Sequence, residues 1–209
     1  MNCGRDGHRT AVVVLAAGFS KRFGEDKMLS DFDGKPLILH AVGNAIASDA
    51  NSVIVVVNNG GGSVMQKLPR GVIVAVNNNP SRGMSSSIVA GLSSIGSDSC
   101  SCVILAGDQP FVSSEMLNAL INAHKHAEDS IVSYRYNGRV RNPVLFPRSM
   151  FDAICQLKGD EGAKKLVVNA ETETSFIDVE DGRLLLDIDT EGDLSLAESF
   201  LQETRRTTN

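Results

Sequence analysis

Residues 12–24 read VVVLAAGFSKRFG, an apolar run that passes directly into a small, glycine-bearing turn followed by cations. Small residues at Ala16, Ala17 and Gly18 let backbone N–H groups approach phosphate oxygens. Side chains that can add a hydroxyl donor and positive charge come next: Ser20, Lys21, Arg22 and Lys27. The turn has neither the spacing of a P-loop nor the glycine order of a dinucleotide fingerprint. It therefore predicts a strand that ends in another kind of phosphate-binding loop, or an ordinary βα turn with a solvated basic patch.

Composition limits the classes of protein that fit. The chain has 209 residues, with 42% hydrophobic and 22% charged side chains, which is typical of one globular domain. We place that domain at residues 10–202, with flexible polar ends at 1–9 and 203–209. A net charge of -5 argues against a general binder of nucleic acid or membrane surfaces. Without a long apolar run or a signal segment, we expect a cytoplasmic protein.

Short apolar runs alternate with helical patterns along the chain, which predicts the α/β class with a mostly parallel sheet covered on both faces. The glycine-rich run Asn58–Ser63 is expected to be a surface loop. The predicted strands are Ala11–Leu15, Val53–Val57, Val72–Val76, Cys102–Leu105 and Ile131–Tyr134. The predicted helices are Leu37–Ser48, Ser85–Ser94 and Ser114–His126.

Asn137-Gly138 lies between two β-like runs and predicts a hairpin added to the main sheet, where it could cover a substrate. Arg139, Arg141 and Asn142 follow this turn. They would bring positive charge to a cleft that takes an anionic second substrate, although a solvated arginine pair explains them equally well.

One carboxylate is predicted at the carboxyl edge of the sheet. The strand Cys102–Leu105 ends in Ala106-Gly107-Asp108-Gln109-Pro110, and ligands of open α/β sheets bind at that edge. Magnesium prefers oxygen ligands and commonly takes one or two carboxylates together with phosphates and waters. Asp108 is therefore a candidate magnesium ligand, and a turn aspartate before a proline is the alternative.

A second acidic segment lies far downstream. Leu184–Thr190 reads LLLDIDT and predicts a strand end just before a helix. Alternation along a strand places Asp187 and Asp189 on the same face, so either could be the second metal ligand. Asp189-Thr190 is equally typical of a helix N-cap.

The segment Asn77–Ser87 predicts a turn followed by a serine-rich helix start. Exposed N–H groups and hydroxyls at such a helix start can hold a base, a ribose or a phosphate. Serines that only cap the helix are the simpler interpretation.

Taken in order, six segments of the chain resemble the MobA-like nucleotidyltransferases, and within them the molybdenum cofactor cytidylyltransferases. The resemblance runs from about residue 10 to about residue 200, and six segments in one order are far more specific than any one alone. The segments are Leu15–Gly24 with Lys27, Gly34–Leu37, Gly83–Ser87, Gly107–Pro110, Arg141–Phe146 and Asp187–Thr190.

The resemblance implies a Rossmann-like fold that binds a nucleoside triphosphate and Mg²⁺ and transfers a nucleoside monophosphate to a phosphorylated acceptor. Ala16-Ala17-Gly18 resembles the cytidylyltransferases, whereas Leu-Ala-Gly-Gly is associated with the guanylyltransferases, so CTP is expected over GTP. The implied acceptor is molybdopterin or the molybdenum cofactor, destined for a molybdenum hydroxylase of the xanthine dehydrogenase type. Alternatives are another phosphorylated acceptor such as a sugar or alditol phosphate, the use of GTP, and a non-catalytic cofactor-insertion chaperone.

The resemblance also assigns roles to individual residues. Asp108 and Asp189 are expected to hold the metal, with Asp187 in reserve, and Arg22, Lys27 and Asp108 to act in catalysis. Gly192 stands where the family pattern Asp-Thr-Pro-Glu-Asp has an acid, but the metal position is kept. The expected nucleotide contacts are Leu15, Ala16, Ala17, Gly18, Ser20, Arg22, Lys27, Asn79, Ser85 and Asp108, and the expected acceptor contacts are Gln109, Arg141 and Asn142.

Overall fold

A seven-stranded sheet forms the centre of the structure, a computed structural model that describes residues 8–18, 27–160, 162, 166–167 and 174–208. One strand of this sheet, Arg139–Pro147, pairs antiparallel with both of its neighbours, and the other pairings in the sheet are parallel. The predicted α/β class with a mostly parallel sheet is therefore confirmed. In spatial order the strands are β5 (Ile73–Asn77), β4 (Ser52–Asn58), β1 (Thr10–Leu15), β6 (Ser101–Ala106), the antiparallel β8 (Arg139–Pro147), β7 (Ile131–Tyr136) and β9 (Thr174–Asp178).

The helices cover both faces of the sheet, and the three predicted ones are present as α1, α3 and α4. Strand β1 shows why this arrangement is stable: Val12 and Val14 pack into the core on one face, and Ala11 and Val13 into the core on the other. No helix in the described ranges is long and apolar enough to cross a membrane. The helices are α1 (Ile38–Ala47), α2 (Gly62–Lys67), α3 (Met84–Leu92), α4 (Ser114–Lys125), α5 (Phe151–Cys155) and α6 (Glu191–Thr208), and a short ladder joins β2 (Asp31–Phe32) to β3 (Lys35–Pro36).

The predicted hairpin is confirmed as β7 and β8. Asn137 and Gly138 have φ of 48° and 73°, as a two-residue turn between twisted strands requires. The register of the two strands shifts between Ser133 and Tyr134. Beyond this shift the hairpin carries Arg141 and Asn142 towards the carboxyl end of β6.

The predicted loop at Asn58–Ser63 was wrong in its extent, and the predicted strand before Asp187 was wrong. The loop expected at Asn58–Ser63 is shorter, because Gly60 N and Gly61 N donate to the side chain and carbonyl of Asn58 at 2.9 Å each and the chain enters α2 at Gly62. The strand expected before Asp187 is a 3-10 turn at Gly182–Leu185, since the Asp181 side chain caps it by accepting from Arg183 N.

Helix α6 extends into the end that we expected to be flexible. It continues to Thr208, so residues 203–208 are helical. Leu194 and Leu201 pack against a small apolar cluster formed by Phe32, Leu37, Ile188 and Ala197, and Arg205 Nη2 lies 2.8 Å from Asp33 Oδ1. These contacts fix the helix beside β2. The outer limits of the domain remain a prediction.

Candidate active site

The carboxyl ends of β1 and β6 bring the first two predicted motifs together. The strands pair in parallel with Leu15 opposite Ala106. Beyond this pair, Gly107 N donates to Leu15 O at 2.9 Å, and Ala16 N donates to Val56 O at 2.8 Å. The loop Leu15–Gly18 and the carboxylate of Asp108 therefore start from one rigid edge of the sheet, as the rule for open α/β sheets requires.

A lysine bridges the two carboxylates that the sequence nominated as metal ligands. Lys27 Nζ lies 2.6 Å from Asp108 Oδ2 and 2.9 Å from Asp189 Oδ1. Lys27 itself is 8% exposed. Burial alone would lower the pKa of its ammonium, but attraction to Asp108 and hydrogen bonds to both carboxylates outweigh burial and raise it. Lys27 therefore keeps its positive charge in this site.

The donor set fits a hard divalent cation. Asp108 Oδ1 is buried and has no hydrogen-bond partner among the described residues, which leaves a costly charged oxygen unsatisfied. No group of three or more histidine, cysteine or acidic side chains that could hold a metal is found in the described part of the chain. A metal here would take Asp108 and Asp189 from the protein and further oxygens from substrate and water, which is the usual environment of Mg²⁺.

The chain entering α6 determines which acid reaches the site. Ile188 is fully buried and its N–H donates to Asp108 O at 3.0 Å, so the next residue, Asp189, lies beside Asp108. The N-cap role falls to Thr190, whose Oγ1 accepts from Asp193 N at 3.2 Å while Asp193 Oδ2 accepts from Thr190 N at 2.8 Å. This reciprocal capping box leaves the Asp189 carboxylate for Lys27. The structure thus brings Asp189 into the cluster.

A cavity of about 460 Å³ adjoins this cluster and is large enough for a small-molecule ligand. One end carries Lys27, Asp108 and Asp189, and Ala17 and Gly18 from the β1 loop also line it. The chain around the start of α3 lines it too. The remaining lining residues are Leu15, Met28, Pro80, Gly83, Met84, Ser87, Ala106, Asn142 and Asp160.

The serine-rich helix start is tied to β5 by a side chain that sequence reasoning did not single out. Asn77 is 3% exposed, and its Nδ2 donates to Ser86 Oγ at 2.8 Å and Ser87 Oγ at 3.0 Å. Its Oδ1 accepts from Asn79 N at 2.9 Å. Its place at the carboxyl end of a strand was the signal that could have identified it.

Residues at the start of α3, where nucleotide contacts were predicted, differ in whether they are buried or line the cavity. Ser85 is buried, and its N–H donates to Gly159 O at 3.1 Å. Ser87, two residues further, lines the cavity, and so does Asp160, which follows Gly159. Ser87 belongs to the serine-rich helix start that the sequence nominated, although it was not named as a single contact, and sequence reasoning missed Asp160. Asp160 comes from a segment with no motif that could have indicated it.

On the acceptor side, Asn142 lines the cavity while Gln109 is 1% exposed. Gln109 Nε2 lies 3.4 Å from Leu185 O and 3.5 Å from Asn142 O, so it connects β8 to the segment that carries Asp189. Arg141 is half-buried on β8, where its carbonyl accepts from Ser133 Oγ at 3.2 Å. Ser20 and Arg22 lie outside the described residues, so their roles stay predictions.

The site combines a glycine-bearing loop, a buried lysine and two carboxylates at one edge of a sheet covered on both faces. This arrangement fits a nucleotidyltransferase of Rossmann-like fold. The match to known families agrees with that class. The chain belongs to the family of MobA-like NTP transferase domains, which it matches over residues 12–174. The family resemblance derived from the six sequence segments is thereby confirmed.

Relatives of the chain cover most of its length. The purine catabolism protein PucB of Bacillus subtilis (strain 168) is 28% identical over 190 residues, which cover 85% of this chain and 90% of that protein. A probable molybdenum cofactor guanylyltransferase of Pyrococcus horikoshii is 28% identical over 134 residues, which cover 63% of this chain and 65% of that protein.

Solved structures agree in fold. Rv0371c of Mycobacterium tuberculosis H37Rv has a TM-score of 0.84 at 27% identity, covering 92% of this chain and 98% of that chain. A structure of Rv0371c in complex with manganese has a TM-score of 0.79 at 25% identity, covering 91% of this chain and 98% of that chain.

Proposed function

We propose that this protein transfers CMP from CTP to the phosphate of molybdopterin or the molybdenum cofactor and releases pyrophosphate. The observation that carries the proposal is the cluster of Lys27, Asp108 and Asp189 beside the loop Leu15–Gly18, in one cavity of about 460 Å³. The cluster supplies the positive charge of an ammonium group and two carboxylates as oxygen ligands, at the place where a polyphosphate would bind.

In this reaction an oxygen of the acceptor phosphate attacks the α-phosphorus of CTP in line with the leaving pyrophosphate. The bond between the α-phosphorus and the bridging oxygen to the β-phosphate breaks, and no covalent enzyme intermediate is needed. Negative charge grows on the equatorial and leaving oxygens, so Lys27 and the N–H groups of Ala17 and Gly18 are proposed to lower the barrier electrostatically. Arg22 and Ser20 are proposed to add further contacts to the phosphates.

Asp108 and Asp189 are proposed to hold Mg²⁺, with Asp187 as the reserve ligand. The unpartnered Oδ1 of Asp108 supports this role, and the manganese complex of the similar Rv0371c is consistent with a divalent metal. The ion, when bound, neutralises charge on the phosphates of the nucleotide. The two aspartates contribute by placing that charge beside Lys27.

The preference for CTP is proposed to depend on Ala17. Ala17 is 2% exposed and lines the cavity, and its methyl group is proposed to take space that a glycine would leave to a larger base. One methyl group discriminates by only about 1–3 kcal/mol, so other contacts must help. Asn79 and Ser85 are proposed to contact the nucleotide from the α3 side.

A relative supports the acceptor, and the sequence resemblance suggests its destination. The probable molybdenum cofactor guanylyltransferase supports a molybdopterin acceptor, and delivery to a molybdenum hydroxylase of the xanthine dehydrogenase type is proposed from the resemblance alone. Arg141 and Asn142 on β8 are proposed to contact the acceptor. The buried Gln109 would position Asn142, because its Nε2 lies 3.5 Å from the carbonyl of that residue.

Binding of CTP, GTP and ATP, each with magnesium and with a chelator, followed by pyrophosphate release on addition of molybdenum-loaded molybdopterin, tests the proposal. We expect magnesium-dependent CTP binding and pterin-dependent pyrophosphate release. A preference for GTP would show that the protein transfers a guanylyl group. Turnover with a sugar or alditol phosphate instead of the pterin would show that the acceptor is a different phosphorylated molecule.

The variant Asp108→Asn separates an enzyme from a cofactor-insertion chaperone. We expect it to lose pyrophosphate release, because it removes a charge that holds the metal. Asp49→Asn, an exposed aspartate between α1 and β4, is the matched control and should keep full turnover. Activation of a partner hydroxylase that survives Asp108→Asn would favour the chaperone.

A further inference from the structure

The ammonium of Lys27 lies where a metal would share the two carboxylates. It contacts Asp108 Oδ2 at 2.6 Å and Asp189 Oδ1 at 2.9 Å, and the Asp108 side chain is 15% exposed. These oxygens belong to the residues proposed to hold Mg²⁺. Lysine and metal therefore compete for one site.

Charge makes this competition strong. The lysine contributes one positive charge against two carboxylates, whereas a divalent cation would contribute two. With both present, like charges would repel at close range. Screening by water is weak beside the largely buried Asp108 and stronger at Asp189, whose side chain is 58% exposed. The triphosphate carries enough negative charge to receive the ammonium when the metal enters. A metal that arrives alone must displace Lys27 without that compensation.

Two further features allow the exchange. Lys27 also lines the cavity, so its side chain borders the space into which a triphosphate would bind. Asp108 Oδ1 has no hydrogen-bond partner within the described ranges, so the lysine satisfies one oxygen of that carboxylate and leaves the other for an incoming cation.

We propose that Lys27 is an exchangeable internal cation that holds the two aspartates together in the free protein and moves to the nucleotide phosphates as the metal takes its place. Metal and nucleotide then bind together, and the free protein binds divalent cations weakly. The inference rests on the proposed function for the identity of the nucleotide. The competition between Lys27 and the metal is independent of which base or acceptor is used.

Binding of Mn²⁺ alone, followed by the electron paramagnetic resonance signal of the free ion, tests the inference without nucleotide. Lys27→Met should bind Mn²⁺ on the order of tenfold or more tightly than the wild type, because a positive charge in contact with both carboxylates has been removed. Lys27→Gln provides a second, polar variant. Lys125→Met, which removes an exposed lysine on α4, should match the wild type.

Adding Asp108→Asn to Lys27→Met locates the site, and the gain in Mn²⁺ affinity should disappear. Thermal unfolding shows that each variant is folded. Equal or weaker Mn²⁺ binding by the folded Lys27 variants would overturn the inference, and so would a gain that survives Asp108→Asn. If the gain is found but CTP and molybdopterin give no turnover, the proposed function fails while the competition at Lys27 stands.

Discussion

Replacing Gly107 with alanine would disturb the contact that joins the two halves of the site. A Cβ at this position would lie 2.7 Å from Ile38 Cδ1, 2.9 Å from Leu15 O and 3.3 Å from Met28 Sδ. The isoleucine tip can rotate, but the Leu15 carbonyl is backbone and already accepts from Gly107 N at 2.9 Å. The added methyl group must therefore move the end of β6 away from the end of β1.

Overpacking of this kind costs about 1–3 kcal/mol of unfolding free energy. For a domain of this size that corresponds to a fall of about 2–12 °C in the melting temperature. The same displacement would move Asp108 relative to the loop Leu15–Gly18, and small errors of position at a reacting centre can lower turnover by about a hundredfold. We expect Gly107→Ala to lose both stability and nucleotidyl transfer.

Gly43→Ala is the matched control, because a Cβ at this exposed position in α1 would meet nothing within 4 Å. Alanine should stabilise the helix by about 0.5–1 kcal/mol. Thermal and urea unfolding of both variants, with turnover measured well below the melting temperature, give the comparison. Equal stability and turnover of Gly107→Ala and the wild type would refute the argument that this glycine is required by the close approach of two backbones.

Two other predictions concern stability. Burial lowers the pKa of His124 below its usual 6.5, so the unfolded chain binds the proton more readily and stability should fall as pH drops below 6.5. His124→Gln should flatten this pH dependence in urea unfolding, with a remainder from His40, whose pKa is also lowered by burial. An unaltered slope in His124→Gln would contradict the assignment. Thr190→Ala removes the hydroxyl that accepts from Asp193 N and should cost about 1 kcal/mol by the same assay, and a loss under a few tenths would show that the capping box contributes little.

The strands, and which of them end in candidate site residues, were predictable from the sequence. A parallel strand that is buried on both faces consists of consecutive apolar residues, which are easy to recognise. Strand β1 is the clearest case, with Ala11–Val14 fully buried. The ends of such strands meet at one edge, so the proximity of Gly18 and Asp108 followed from the fold class. The 3-10 turn at Gly182–Leu185 was not predictable from its apolar residues. It forms because the Asp181 side chain caps its start, which is a local side-chain contact.

Contacts between distant segments were the main part of the site that sequence reasoning could not supply. Lys27 and Asp189 are separated by 162 positions, and their meeting depends on the backbone hydrogen bond from Ile188 N to Asp108 O. Asp160 reaches the cavity because Gly159 O accepts from Ser85 N, a pairing that no spacing rule connects. Sequence identifies residues with suitable chemistry, whereas their partners depend on how the chain packs.

This difference matters most for Lys27. Taken from the sequence, Lys27 was a phosphate ligand and Asp108 a metal ligand, two separate roles. In the structure, Lys27 Nζ lies 2.6 Å from Asp108 Oδ2, so the two side chains form an ion pair in the free protein. Under the exchange proposed for Lys27, both roles are filled once that contact breaks, and the metal and the nucleotide supply the replacement charges. The oppositely charged groups then hold the free site together before its ligands bind.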